Sequence, residues 1–181
     1  GIARRSGKHH LDVLMDAMAD RRPVIFFFGG YPGNLERQRS AIEDPRSVFG
    51  LSDGGAHCGV LCDASVPTYM LAYFTRDRER GDKLPLPLVV HKMTQDSAGV
   101  YGLTDRGLVA PGYLADLNVI DYDALALEPP AMVYDLPGEG KRLIQKARGY
   151  AATIKRGKVT FENGEATGEM PGGLIRGGAF A

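Results

Sequence analysis

The stretch SVFGLSDGGAH, residues 47–57, places an apolar run one residue before Asp53, which two glycines and then a His follow. The run predicts a strand over 47–51 that ends just before Asp53. At the carboxyl ends of strands in parallel α/β sheets and barrels, ligands bind and chemistry occurs. A carboxylate there can act as a general base or a metal ligand, and Gly54 and Gly55 allow close backbone approach to a substrate. The same residues also suit an Asp that caps the following turn, so both interpretations stay open.

The residues before this stretch predict a βαβ unit. The apolar run at 24–28 is typical of a strand that is buried on both faces. Asn34 is placed to cap a helix that continues through Ile42. A strand, a helix and the strand at 47–51 in this order are expected to give two parallel strands. Helical spacing of apolar residues also predicts an amphipathic helix over 8–20.

Beyond residue 57 the pattern changes from helical to β-like. Val66 and Pro67 open a predicted helix, the mixed charge run at 76–83 is expected to be its solvated end plus a loop, and a further helix ends near Gly102. From about residue 104 the chain predicts a β-rich module, with a long connection over 122–145. Its predicted strands and turns are 115–120, 150–154, 159–161, Arg156-Gly157 and Asn163-Gly164. We therefore expect two parts, 1–103 and 104–181.

The composition is ordinary for a globular domain and excludes some function classes. The 181 residues are 44% hydrophobic, and 22 basic residues balance 22 acidic ones, which gives no indication of nucleic-acid or anionic-membrane binding. No apolar run is long enough for a membrane span, and a cytoplasmic protein is expected. Cys58 and Cys62 are the two cysteines, and both are expected to be small buried side chains.

Five motifs in this order resemble the C-terminal portion of the amidohydrolase superfamily, specifically its N-acyl-D-amino-acid deacylase (D-aminoacylase) branch. They are GLSDGGAH (50–57), KMTQDSAGVYGL (92–103), DRGLVAPGYLADLNVID (105–121), LPGEGKRLIQKARGY (136–150) and TIKRGKV (153–159). The motif at 105–121 indicates the superfamily, while those at 50–57 and 136–150 point to the deacylase branch.

The resemblance implies a fold, a chemistry and a set of site residues. The fold would be the C-terminal part of a (β/α)₈ barrel at 1–103, followed by part of a small β-sandwich. One or two divalent metals, usually zinc, would activate water for attack on the amide carbonyl of an N-acyl amino acid. Asp53 matches the aspartate that ends the last barrel strand and moves the proton. Gly54, Gly55 and His57 would contact the substrate, and Asp53 is also a possible metal ligand.

The sequence departs from the family pattern in its metal ligands. The resemblance implies an H-x-H and further histidines on earlier strands, but the four histidines are His9, His10, His57 and His91. His57 alone lies near Asp53, and it also suits a hydrogen-bonded loop histidine. We therefore expect a C-terminal portion that is inactive alone and that needs self-association or a missing N-terminal segment.

Two further functions stay open from the sequence. One is hydrolysis of cyclic amides, as in hydantoinases and dihydroorotase-like proteins. The other is a non-catalytic remnant that needs a partner chain. Arg76 and Arg78 are candidates for binding a substrate carboxylate, although a solvated helix face is the favoured interpretation for both.

Overall fold

A computed structural model describes residues 2–20, 35–50, 52, 55 and 57–175. The chain divides into two compact units, Gly1–Gly33 and Asn34–Ala181. The boundary predicted at residue 104 falls inside the second unit and stays a prediction.

The first unit contains two described helices, α1 (Ile2–Ser6) and α2 (His10–Ala19). His9 is the N-cap of α2, and its Nδ1 accepts a hydrogen bond from the Leu11 amide at 3.4 Å. The helix predicted over 8–20 is therefore confirmed. The strand predicted at 24–28 lies outside the described residues.

The second unit begins with helix α3 (Glu36–Glu43), whose N-cap is Leu35 with a φ of 55°. The predicted helix is confirmed, but the cap expected at Asn34 is wrong by one residue, and Leu35 caps without a side-chain hydrogen bond. Residues 47–50 are not a strand, although their burial alternates along the chain. Alternation specifies two faces of an extended segment, whereas a strand also needs a hydrogen-bonded neighbour.

Two longer helices follow, and both change their winding. Helix α4 (Val66–Tyr69) has Pro67 in its first turn and continues as a π-helical segment, Met70–Asp77. Helix α5 (Leu86–His91) continues as a second π-helical segment, Lys92–Asp96, and then as α6 (Ser97–Val100). Both helices predicted here are confirmed.

The core of the second unit lies between these helices and one residue of the β-rich module. Its buried side chains form one cluster: Met70, Leu71, Ala72, Phe74, Leu84, Val89 and Leu125. Phe49 and Ile42 pack against this cluster from the side of α3. The packing therefore ties the residues that precede Asp53 to the two helices that follow it.

Up to residue 175, the β-rich module contains eight strands in three antiparallel sheets. The four-stranded sheet has the order β1 (Leu117–Ile120), β6 (Tyr150–Lys155), β7 (Lys158–Glu162) and β8 (Glu165–Ala166). The other two sheets pair β2 (Ala126–Leu127) with β5 (Ala147–Arg148) and β3 (Ala131–Leu136) with β4 (Gly140–Ile144).

The two predicted turns of this module are confirmed, and the predicted long connection is wrong. Arg156 and Gly157, at φ 51° and 77°, form the tight turn between β6 and β7, and Asn163-Gly164 joins β7 to β8. The connection expected over 122–145 instead contains β2, β3 and β4. Its prolines lie between strands and not within them, which is where proline is compatible with β-structure.

Gly149 separates β5 from β6 at a point where the backbone can accept no side chain. Its φ is +95°, and a Cβ there would lie 2.7 Å from the Cα of Leu125. The Gly149 carbonyl accepts a hydrogen bond from the Asp121 amide at 2.8 Å. Only glycine combines this φ with such a close approach.

Every strand pairing in the described residues is antiparallel. The parallel strands of the expected barrel are therefore not confirmed. The predicted β-rich character of the C-terminal part is confirmed. No helix in the described ranges has the length and apolar character that a membrane crossing requires.

Candidate functional site

The predicted site residues lie on the loop between residue 50 and the helix that begins at Val66. Asp53 and Gly54 fall outside the described residues. Gly55 is exposed and has a φ of +96°, which the predicted turn requires and which glycine adopts without strain. His57 is also exposed, with a φ of 48°. The structure therefore confirms the turn and leaves the roles of all four residues as predictions.

A short hydrogen-bonded turn follows the glycines. The His57 carbonyl accepts hydrogen bonds from the amides of Val60 at 2.8 Å and Leu61 at 3.0 Å. No described residue forms a hydrogen bond with the His57 imidazole, so the interpretation as a hydrogen-bonded loop histidine has no support there. Cys58 and Cys62 are free thiols, and both are only half-buried, not fully buried as expected.

The far side of this loop is attached to the β3–β4 hairpin. The Leu143 amide in β4 donates to the Cys58 carbonyl at 2.6 Å. Ser65, just before α4, donates from Oγ to Gln145 Oε1 at 2.5 Å, and Gln145 Nε2 donates to the Glu128 carbonyl at 2.9 Å. The stretch 136–150 therefore contacts the loop that carries Asp53.

The near side of the loop is attached through the turn at the end of α3. The Arg46 guanidinium and amide donate to the Asp44 carboxylate, and these hydrogen bonds lower the pKa of Asp44 to about 2. Ser47 Oγ donates to the carbonyls of Ala41 at 2.5 Å and Asp44 at 2.9 Å. This turn sets where the segment leading to Asp53 begins.

Lys92 contacts the turn that precedes the loop, and the sequence pattern did not indicate this contact. Its side chain is buried, and Nζ donates to the carbonyls of Asp44 at 2.7 Å and Ser47 at 2.6 Å. The one available signal was spacing, because Lys92 lies three residues after buried Val89 and thus near the same helix face. The neighbouring His91 is exposed.

Arg76 and Arg78 do not lie on a solvated helix face. Arg76 donates to the carbonyls of Tyr122, Asp123 and Leu125, the last at 2.6 Å. Arg78 is 1% exposed and donates from Nη2 to Glu36 Oε2 at 2.5 Å. The interpretation of this run as solvated is therefore wrong for both arginines, whose guanidinium groups donate to protein acceptors.

The described residues do not by themselves fit a metal centre. They contain no group of three or more His, Cys, Asp or Glu side chains that could hold a metal ion. A tight zinc site needs three or four such ligands. Of the expected ligands, Asp53 lies outside the described residues.

The sequence matches the model of the amidohydrolase family over residues 11–161. This match covers most of the chain, from α2 to β7, and includes Asp53 and the loop around it. The chain belongs to the amidohydrolase family. The superfamily resemblance carried by the motifs at 50–57 and 105–121 is thereby confirmed.

A curated relative places this amidohydrolase in the D-aminoacylase branch. Over 93 residues it is 39% identical to the N-acyl-D-aspartate deacylase of Alcaligenes xylosoxydans xylosoxydans. The aligned part is 51% of this chain and 17% of the relative. The chain thus spans about a fifth of the length of the relatives it matches.

Solved structures of D-aminoacylase are also similar to this amidohydrolase, at 30% identity with a TM-score of 0.44. The match covers 57% of this chain and 19% of the D-aminoacylase chain. One of these structures is described as defining a novel subset of amidohydrolases, and another is a mutant in complex with copper chloride. A third concerns the functional role of the binuclear metal centre of D-aminoacylase.

Proposed function

We propose that the protein containing these residues is a hydrolase of linear amides that deacylates N-acyl-D-amino acids. The observation that carries this proposal is the 39% identity to an N-acyl-D-aspartate deacylase. The motif at 50–57 supports it, because a carboxylate next to two glycines suits proton transfer beside a closely held substrate.

Asp53 is the proposed acid–base group. Amide hydrolysis requires that a water molecule lose a proton as it attacks the carbonyl carbon, and that the leaving nitrogen gain one. A single carboxylate can accept the first proton and donate it to the nitrogen in the second step. Gly54 and Gly55 are proposed to allow the substrate backbone to approach, and His57 to contact the substrate carboxylate.

Attachment of the loop at both sides supports this role. Proton transfer needs the carboxylate within hydrogen-bond reach of the reacting atoms, so the loop has to be held in place. The Ser47 end is held by Lys92 and the Cys58 end by Leu143. Lys92 and Leu143 come from outside the loop, and the residues that they hold, Ser47 and Cys58, lie on either side of Asp53 in the sequence.

A divalent metal, with zinc as the predicted ion, belongs to the proposal for the complete protein. A binuclear metal centre is described for D-aminoacylase. Because the described residues do not fit a metal centre, the chemistry proposed for this chain is limited to proton transfer by Asp53.

Hydrolysis by the complete gene product that contains these residues tests the proposal. N-acetyl-D-amino acids, their L-enantiomers and hydantoins are the substrates to compare. We expect release of the D-amino acid, and Asp53→Asn should lower kcat by on the order of 10²–10⁴-fold. Asp63→Asn is the matched control, because Asp63 is an exposed carboxylate ten residues further on.

The possible outcomes separate the alternatives. Preferential cleavage of hydantoins would establish a cyclic-amide hydrolase and overturn the proposal. Absence of hydrolysis in the complete, metal-supplemented protein would leave the non-catalytic remnant as the correct description. A kcat that survives Asp53→Asn would remove Asp53 from the mechanism.

A further inference from the structure

Lys92 carries a positive charge into the interior of the second unit. It begins the π-helical segment Lys92–Asp96, and the residue is 3% exposed. Its nearest described carboxylate is Asp96, with Nζ 4.0 Å from Oδ2. A buried ammonium is costly unless hydrogen bonds replace its hydration, so the acceptors around Lys92 show what it stabilises.

Those acceptors belong to one turn. Nζ donates to the carbonyls of Asp44 and Ser47, at 2.7 Å and 2.6 Å, which lie at the two ends of the turn that follows α3. The Ser47 hydroxyl oxygen is 3.5 Å from the same Nζ. One ammonium therefore fixes both ends of this turn relative to the helix that contains Lys92.

The turn is the starting point of the segment that leads to Asp53. Residues 47–50 form no strand ladder, so paired backbone groups do not hold them as they would in a sheet. A recess of about 200 Å³ lies beside them, lined partly by Ile42, Phe49 and Lys92. The described anchors of this segment are the contact of Phe49 with the core, the Lys92 hydrogen bond to Ser47, and the hydrogen bonds of the Ser47 hydroxyl to the Ala41 and Asp44 carbonyls.

We propose that Lys92 is a positioning residue for Asp53, acting through the Ser47 carbonyl to fix where the segment that carries the acid–base carboxylate begins. This inference rests on the proposed function. Lysine suits the task because its ammonium has three donors on a long apolar stem and can serve two carbonyls at once. Methionine has a similar length and no donor, so Lys92→Met removes the hydrogen bonds and keeps the packing.

Nuclear magnetic resonance on the 181-residue chain tests the proposal without any need for activity. Backbone order parameters of residues 48–50 should fall from about 0.85 in the parent to below about 0.6 in Lys92→Met. The Asp53 carboxyl carbon should change its chemical shift at a fixed neutral pH. Lys92→Arg retains a charged donor and should restore both signals at least in part, and exposed Lys158→Met is the control that changes neither.

Two results would overturn the proposal. One is unchanged order parameters and an unchanged Asp53 signal in Lys92→Met. The other is a uniform loss of order that extends through Met70–Asp77 with a lower unfolding temperature, because this would show general structural support in place of positioning. If the proposed function is wrong, the complete protein will show no hydrolysis. The resonance experiment does not depend on hydrolysis, so it tests the role of Lys92 independently.

In the active complete protein, Lys92→Met should lower kcat/KM about 10-fold or more, because a shift at the start of the segment displaces Asp53 together with its neighbours Gly54 and Gly55. Equal loss of activity in Lys158→Met would contradict this expectation.

Discussion

Three basic side chains, Arg76, Arg78 and Lys92, turn inward, and the partners of Arg78 differ from those of the other two. Arg78 pairs with Glu36, and its guanidinium carbon lies 5.7 Å from the centre of the Phe74 ring, while its Nη1 has no hydrogen-bond partner. Lys92 and Arg76 instead donate to main-chain carbonyls. Main-chain acceptors tie a side chain to the course of the backbone, so Lys92 and Arg76 hold loops.

Asp44 makes the stability of the second unit sensitive to acid. Its pKa in the folded chain is about 2, below the ordinary value of 3.8, because Arg46 donates to the carboxylate. The ionised pair therefore stabilises the fold above about pH 4, and this contribution is lost as the pH falls from about 4 to about 2. Asp44→Asn and Arg46→Met should each make the urea concentration at the unfolding midpoint depend less on pH between about 4 and about 2. Parallel pH curves for parent and variants would contradict the assignment.

Gly149 provides a second test at the residue scale. Gly149→Ala should lower the free energy of unfolding by more than about 2 kcal/mol, because the new Cβ meets the Leu125 backbone and the φ is positive. Gly164→Ala is the matched control, since Gly164 has a φ of +85° and open space around it. That change should cost only about 1 kcal/mol. Urea denaturation measures both, and equal losses would show that the close approach to Leu125 does not matter.

At the scale of elements, the helix that begins at Val66 is joined to the β-rich module by side chains along its length. Thr68 and Tyr150 share a hydrogen bond of 2.8 Å between hydroxyls, and Thr75 and Tyr122 share one of 2.6 Å. The Arg76 guanidinium also donates hydrogen bonds to the main-chain carbonyls of Tyr122, Asp123 and Leu125. The Leu125 side chain is itself in the core. The helix and the module therefore depend on one another for their polar partners.

Arg76→Met tests this junction. The substitution removes the charged donor that the Tyr122 and Leu125 carbonyls accept from. The free energy of unfolding should therefore fall by about 2–3 kcal/mol. The control is Arg142→Met, which breaks an exposed pair with Asp135 and should cost less than about 1 kcal/mol. Urea denaturation again gives both values. Equal effects would place Arg76 among ordinary surface charges.

Local signals predicted the elements that depend on local geometry. Pro67 opens a helix, and Arg156-Gly157 and Asn163-Gly164 turn the chain tightly, so these features followed from backbone preferences. Strands β3 and β4 were missed because the prolines around them are typical of loops. The strand predicted over 47–51 is absent at residues 47–50, because an apolar pattern does not reveal whether a hydrogen-bonding neighbour is present.

For the candidate site, the sequence predicts which residues are neighbours but not which distant residues support them. Asp53, the glycines and His57 stand together in the sequence, so their proximity needed no tertiary information. The support from Lys92 and Leu143 comes from residues far along the chain that donate to main-chain carbonyls. Any residue has such a carbonyl, so no pattern of residue types marks which one is used.

At the scale of the whole molecule, many large apolar side chains face solvent. Along β3, Met132, Tyr134 and Leu136 are all exposed, with Tyr134 at 68%. Leu11, Met15 and Met18 of α2 are exposed as well. A two-stranded hairpin with an apolar face is marginal in water, and apolar surface of this kind favours association.

Self-association of the 181-residue chain is therefore expected. Light scattering should give a weight-average mass above the 19.5 kDa of one chain and rising with concentration. Tyr134→Lys together with Met132→Lys should shift the distribution toward the monomer, and Thr160→Lys on β7 is the control. A constant mass of one chain at all concentrations would refute the expectation.

The hydrogen bond between the side chains of Ser65 and Gln145 affects how homologous genes of this group can be recombined, because it depends on both residue types. A crossover placed near residue 104, where helical sequence gives way to β-like sequence, would pair a loop from one parent with a hairpin from the other. A crossover after residue 150 keeps the two parental partners together. Chimaeras should therefore inherit the loop around Asp53 intact only when the exchanged block reaches beyond β5.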